Sequence, residues 1–140
     1  MKRMFLALLL LCSCSPDSSE EFQREGQARC HALVLELQKI ESREQLLHSS
    51  PQLKRHFESL INLMIEAREF QQKKLEGFSN ESVLEENAVE ITLEEELRRI
   101  YAIEGAREVI EHAQHEALVR LDAYERTLAK KREQLILNRP

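Results

Sequence analysis

The chain has 140 residues and a formal charge of −5. It is 42% hydrophobic and 32% charged, with three Gly, three Pro and no Trp, which excludes collagen-like, Pro-rich and Gly/Ser-linker material. Five Phe and two Tyr with so few turn-formers argue against a β-sandwich or barrel. No apolar run reaches the ~18 residues of a conventional membrane-spanning helix. One all-α domain is the class that remains.

The chain opens with Lys2 and Arg3, an unbroken apolar run from Met4 to Leu11, and then Cys12-Ser13-Cys14-Ser15-Pro16. A positive start, a short apolar stretch and a small residue before a cut are the parts of a secretory signal. As a helix, the apolar run spans only ~12 Å of a ~30 Å hydrocarbon core, so it suits export rather than spanning.

Leu11-Cys12-Ser13-Cys14 resembles the lipobox of bacterial lipoprotein precursors, with an aliphatic residue at −3 and a small one at −1. The resemblance covers the leader alone, and Cys12 at −2 departs from the usual pattern. It implies a diacylglycerol thioether on Cys14, cleavage before that residue, and an acyl chain on the new amino terminus. Cys12 behind Leu11 is the rival site, less suited because of the bulky −1 residue. An ordinary secretory signal with incidental cysteines is the plainer alternative. One buried acyl chain gives marginal attachment, whereas two or three hold a protein to the bilayer without help from a basic patch. In similar Gram-negative lipoproteins Asp after the Cys favours inner-membrane retention. Ser15 stands there, so the resemblance leans toward the outer membrane. Cleavage removes Lys2 and Arg3 and no acidic residue, making the chain more negative than −5. Nucleic-acid binding is disfavoured by that sign.

After the tether 14–19, Ser18 or Ser19 is placed to cap a helix with Glu20 and Glu21 in its first turn. Phe22, Gly26, Cys30, Leu33, Leu37, Ile40 and Leu47 follow a helical period that fails at Glu44 and predict a helix over about 20–48. Ser49-Ser50-Pro51 predicts a break and restart; a kinked continuous rod is the alternative. Leu53, Phe57, Leu60, Met64 and Ala67 carry the second helix, about 51–76, with Lys73, Lys74 and Gly77 as its stop. Ser82-x-x-Glu85 and Thr92-x-x-Glu95 read as capping boxes. The second opens a third helix, about 92–136, on Leu93, Leu97, Ile100, Ile103, Ala106, Ile110, Ala113, Ala117, Leu121, Tyr124 and Leu128. Their mean step of ~3.5 is that of a coiled coil. Gly105 inside this run suggests close helix approach. The expected fold is an extended helical hairpin or three-helix bundle with a long coiled-coil-like C-terminal helix.

The last third is polarised. Residues 81–116 hold eleven Glu against Arg98, Arg99 and Arg107, whereas 119–140 hold six basic residues against three acidic ones. Local pairs such as Glu94–Arg98 and Glu95–Arg99 are expected; an acidic docking face or a contact between protomers is the sharper alternative.

Motifs for chemistry are sparse. Glu108, Glu111, His112, His115 and Glu116 share one helical stretch, but a solvated acidic face explains them, and di-iron bundles require Glu-x-x-His on two helices. His112 and His115 are weak metal candidates at most. Cys30 beside His31 fits a buried thiol on the apolar series, or an intermolecular disulfide in an oxidising envelope, better than a nucleophile. No Gly-rich phosphate loop, Cys-x-x-Cys or nucleophile elbow occurs. The expectation is a non-enzymatic lipoprotein of the bacterial cell envelope without cofactor. It would be held to the membrane by its lipid and act as a helical scaffold or interaction module toward an envelope protein or a second copy. The interaction seam would comprise Leu93, Leu97, Ile100, Ile110, Leu121, Tyr124 and Leu128. A periplasmic holdase clasping unfolded clients is the alternative, and a metal-binding bundle is a further one.

Overall fold

Four helices account for the regular structure. The computed structural model describes residues 17–75 and 88–138. These form α1 (Ser19–Gln38), α2 (Arg43–Leu75), α3 (Ala88–Tyr101) and α4 (Ala106–Leu137), with no strand among the described residues. The protein is all-α and includes a long helix near its C-terminus.

Ser18 caps α1: its hydroxyl accepts the Glu21 N–H at 3.2 Å, and the Glu21 carboxylate accepts the Asp17 N–H at 2.7 Å. This reciprocal arrangement satisfies amides that the first helical turn leaves unpaired.

The first helix does not continue to 48. It stops at Gln38, and α2 runs unbroken through Pro51. A second capping box decides the break. The Ser42 hydroxyl accepts the Gln45 N–H at 3.3 Å, and the Gln45 side chain accepts the Glu41 N–H at 2.7 Å. The last turn of α1 closes with Ile40 N–H on the Leu37 carbonyl at 3.0 Å. Pro51 removes one donor from α2. Both Pro51 and Leu47, whose carbonyl would have received that bond, lie on the exposed face, where water can take the donor's place.

The third expected helix, 92–136, is also two. Residues 102–105 turn the chain between α3 and α4, and Gly105 adopts φ +72°. A side chain rarely tolerates that conformation, so this glycine marks a corner rather than a close helix contact. The Thr92 box is not a cap. Thr92 lies within α3, and its hydroxyl donates to the Ala88 carbonyl at 2.9 Å. The Ser82 box and Gly77 lie outside the described residues.

Cross-contacts fix the directions. Phe22 meets Phe70 with ring centroids 5.3 Å apart, Gly26 faces Leu63, and Arg29 donates to the Ser59 carbonyl at 2.7 Å. So α1 and α2 are antiparallel. Lys54–Glu116 at 2.7 Å, Arg120–Asn62 at 2.6 Å and the Arg68–Glu125 pair follow in ascending order, so α2 and α4 run parallel. α1 also packs on α3, which meets α4 only weakly.

The core gathers around the two corners. Leu33, Leu37, Ile40, Leu46, Leu53, Phe57, Ile100, Ala106, Ile110, Ala113 and Ala117 form one buried cluster. Large residues of α1 and α2 share it with three alanines of α4. Such a pairing of large and small side chains lets α4 approach closely.

Candidate functional site

The two corners interlock through arginines. Arg99 of α3 donates to the carbonyls of Leu37 and Ile40, each at 2.7 Å, and to the Glu96 carboxylate at 2.8 Å. It thereby adds a second partner to the Leu37 carbonyl, which already accepts the Ile40 N–H, and bonds the Ile40 carbonyl just past α1, using the planar fork of the guanidinium. In return, Arg43 at the start of α2 covers Gly105; a Cβ built there would stand 3.2 Å from the Arg43 guanidinium carbon.

A short pattern recurs beside these corners. Leu33-x-x-Glu36-Leu37-x-Lys39-Ile40 is matched sixty residues later by Leu93-x-x-Glu96-Leu97-x-Arg99-Ile100. Both copies make the same internal ion pair, Lys39–Glu36 at 3.0 Å and Arg99–Glu96 at 2.8 Å. Helix periodicity alone overlooks this repeat; comparing the sequence with itself finds it.

The expected seam turns inward. Ile100 and Ile110 are fully buried, and Leu93 and Leu97 pack on the same core. Leu121, Tyr124 and Leu128 are half-buried on α4. These seven residues are divided between α3 and α4, and much of their apolar surface is used within the chain. The Tyr124 hydroxyl is buried without a hydrogen-bond partner, and desolvation raises its pKa above the ordinary phenol value.

His112 and His115 are both exposed. Among the described residues no group of three or more His, Cys, Asp or Glu is arranged to hold a metal ion. The Glu116 carboxylate instead pairs with Lys54. That hydrogen bond lowers the carboxyl pKa and raises the amine pKa. Arg98 pairs with Glu94 as expected, at 2.9 Å, but Arg99 takes Glu96 rather than Glu95. Cys30 is half-buried on α1. A shallow groove of about 300 Å³ beside the first corner is lined by Lys39, Glu44, Gln45, His48 and Ser49.

Cys14 and the leader lie outside the described residues. Asp17, three residues after Cys14, is held to the first turn of α1. The start of α1 lies beside the end of α2 through the Phe22–Phe70 contact, and the end of α2 runs beside α4 through Arg68 and Glu125. The start of α1, the end of α2 and the last turns of α4 therefore share one end of the molecule, away from the corners.

Compared with known proteins, the chain matches no protein-family model, no curated protein and no solved structure. Among the described residues no helix is long and apolar enough to cross a membrane. The arrangement has an interlocked double corner at one end and, at the other, the exposed last turns of α4.

Proposed function

We propose that this protein is a lipid-anchored component of the bacterial cell envelope and works as a helical scaffold through binding rather than catalysis. The observation that carries the reading is the leader: Lys2 and Arg3, the apolar run Met4–Leu11, and Leu11-Cys12-Ser13-Cys14. Acylation of Cys14 gives the anchor. Two or three chains on one residue make attachment lasting without a spanning helix. The short tether supports the same reading, because the five residues from Cys14 to Ser19 extend at most ~17 Å. It keeps the first turn of α1 near the bilayer and leaves the interlocked corners as the outward end. Exposed side chains such as Leu35, Leu47, Leu118 and Val119 offer scattered apolar contacts to a partner.

The test is fatty-acid labelling of the full chain expressed in a bacterium. Wild type should incorporate label and be processed before Cys14, and Cys14→Ser should lose both. Labelling that persists in Cys14→Ser but disappears in Cys12→Ser would move the anchor. No labelling of wild type would defeat the reading.

A further inference from the structure

The last turns of α4 carry an unusual combination. Lys130, Lys131 and Arg132 are exposed, and Leu135, Ile136 and Leu137 follow at 71%, 72% and 82% exposure. Within 126–138 Glu133 is the only acid. Across from them, Lys73 and Lys74 are exposed at the end of α2, with the Lys74 ammonium 4.7 Å from the Phe70 ring. Three adjacent large aliphatic side chains left in water at a helix end are costly unless something covers them.

Geometry indicates what that is. The Arg68–Glu125 pair sets Phe70 about level with residue 127 of α4. At ~1.5 Å per residue, Leu135–Leu137 then extend ~12–15 Å past that level, beyond the start of α1. Two helix spacings of ~8–10 Å separate α4 from α1 sideways. The aliphatic tip thus lies beyond the level at which α1 begins. Asp17, Glu20 and Glu21 lie just before α1 or in its first turn, and α1 does not pack on α4; Glu133 in the tip and Glu69 on α2 are outnumbered by Lys73, Lys74, Lys130, Lys131 and Arg132. The α2–α4 side is left cationic.

We propose that this end of the α2–α4 pair is a second membrane contact. Lys73, Lys74, Lys130, Lys131 and Arg132 meet anionic lipid headgroups, and Leu135, Ile136 and Leu137 enter the boundary with the acyl chains. Cations beside a negatively charged leaflet, joined to a small apolar wedge, are the ingredients of interfacial binding. The direction of the contact rests on the anchored reading, but its chemistry does not. Acyl chains at Cys14 would attach the protein, and the tip would orient it, fixing how the corners stand above the surface.

The chain from Asp17 to Pro140 contains the entire buried cluster and lacks Cys14, so it tests the tip apart from the anchor. It should co-sediment with vesicles of phosphatidylglycerol and phosphatidylcholine, and only weakly with phosphatidylcholine alone. Reversing Lys130, Lys131 and Arg132 to Glu should lower partitioning at least about tenfold. Leu135→Ser, Ile136→Ser and Leu137→Ser combined should also lower it, with unchanged helicity by circular dichroism in both variants. Absence of wild-type binding overturns the proposal. So does equal binding to the two vesicle types, or binding that neither variant weakens. Serine variants that bind like wild type would remove the apolar wedge. Self-association that the serine variants abolish, without vesicle binding, would assign the tip to a second copy. Failure of these tests leaves Cys14 labelling unaffected, so the two readings fail separately.

Discussion

The two ends of α4 both carry large apolar residues and meet different fates. Near the corner, Ala106, Ile110, Ala113 and Ala117 are at most 1% exposed. Beyond Leu128 every described residue to Asn138 is exposed, including three consecutive large aliphatics. The difference is one of neighbours, not of propensity. At the first end α2 supplies Leu46, Leu53 and Phe57 to the cluster, while α1 and α3 close it. At the other end, among the described residues, only the last turns of α2 run alongside. A helical period therefore identifies a face, while topology decides whether that face is covered.

Matched substitutions at the two ends provide the largest contrast. Ile110→Ala should cost about 2–5 kcal/mol in a denaturant titration, because it deletes buried methyl groups and leaves a cavity. Ile136→Ala, at an exposed position, should change stability by less than about 0.5 kcal/mol. Similar losses from both would mean that the tip is packed like the corner. A smaller contrast separates two glycines. Gly105→Ala forces a Cβ into a left-handed backbone and against Arg43, and should cost about 1–2 kcal/mol. Gly26→Ala meets only Leu63 at 3.8 Å and removes helix-interior backbone freedom, so it should stabilise by about 0.5–1 kcal/mol. A stabilising Gly105→Ala would show that the second corner is a continuous helix.

The sequence reveals the class readily and the corners poorly. Ser18 as a cap, Lys73 and Lys74 in a last turn, and the buried positions Leu33, Leu37, Ile40, Leu53, Phe57, Ile100, Ile110, Ala113 and Ala117 all follow from local chemistry and period. The break at 39–42 competes with a louder signal at Pro51. A proline is conspicuous, but a long helix can carry one on its wet face, whereas Ser42 and Gln45 supply the bonds that start α2. The turn also resets the phase of the pattern. Leu46 is fully buried, while Leu47, the residue that continues the period of α1, is 53% exposed. Leu63 is buried and Met64 exposed for a related reason: α2 presents one face to α1 and another to α4, and a single stripe cannot describe both. Gly105 illustrates the converse. Its lack of a side chain was visible, but its positive φ depends on a corner that no local pattern announces. The inward orientation of the seam likewise needed the fold of α1 and α2 around it.

Residue-resolved hydrogen exchange on the chain from Asp17 to Pro140 in solution tests the contrast most directly. Slow exchange should extend through Ile110–Ala117 and approach the global unfolding limit there, then fall steeply after Leu128, with 130–137 exchanging through local fraying. Uniform protection along the whole of α4 would contradict the account, because it would place a cover over an end that the fold leaves open.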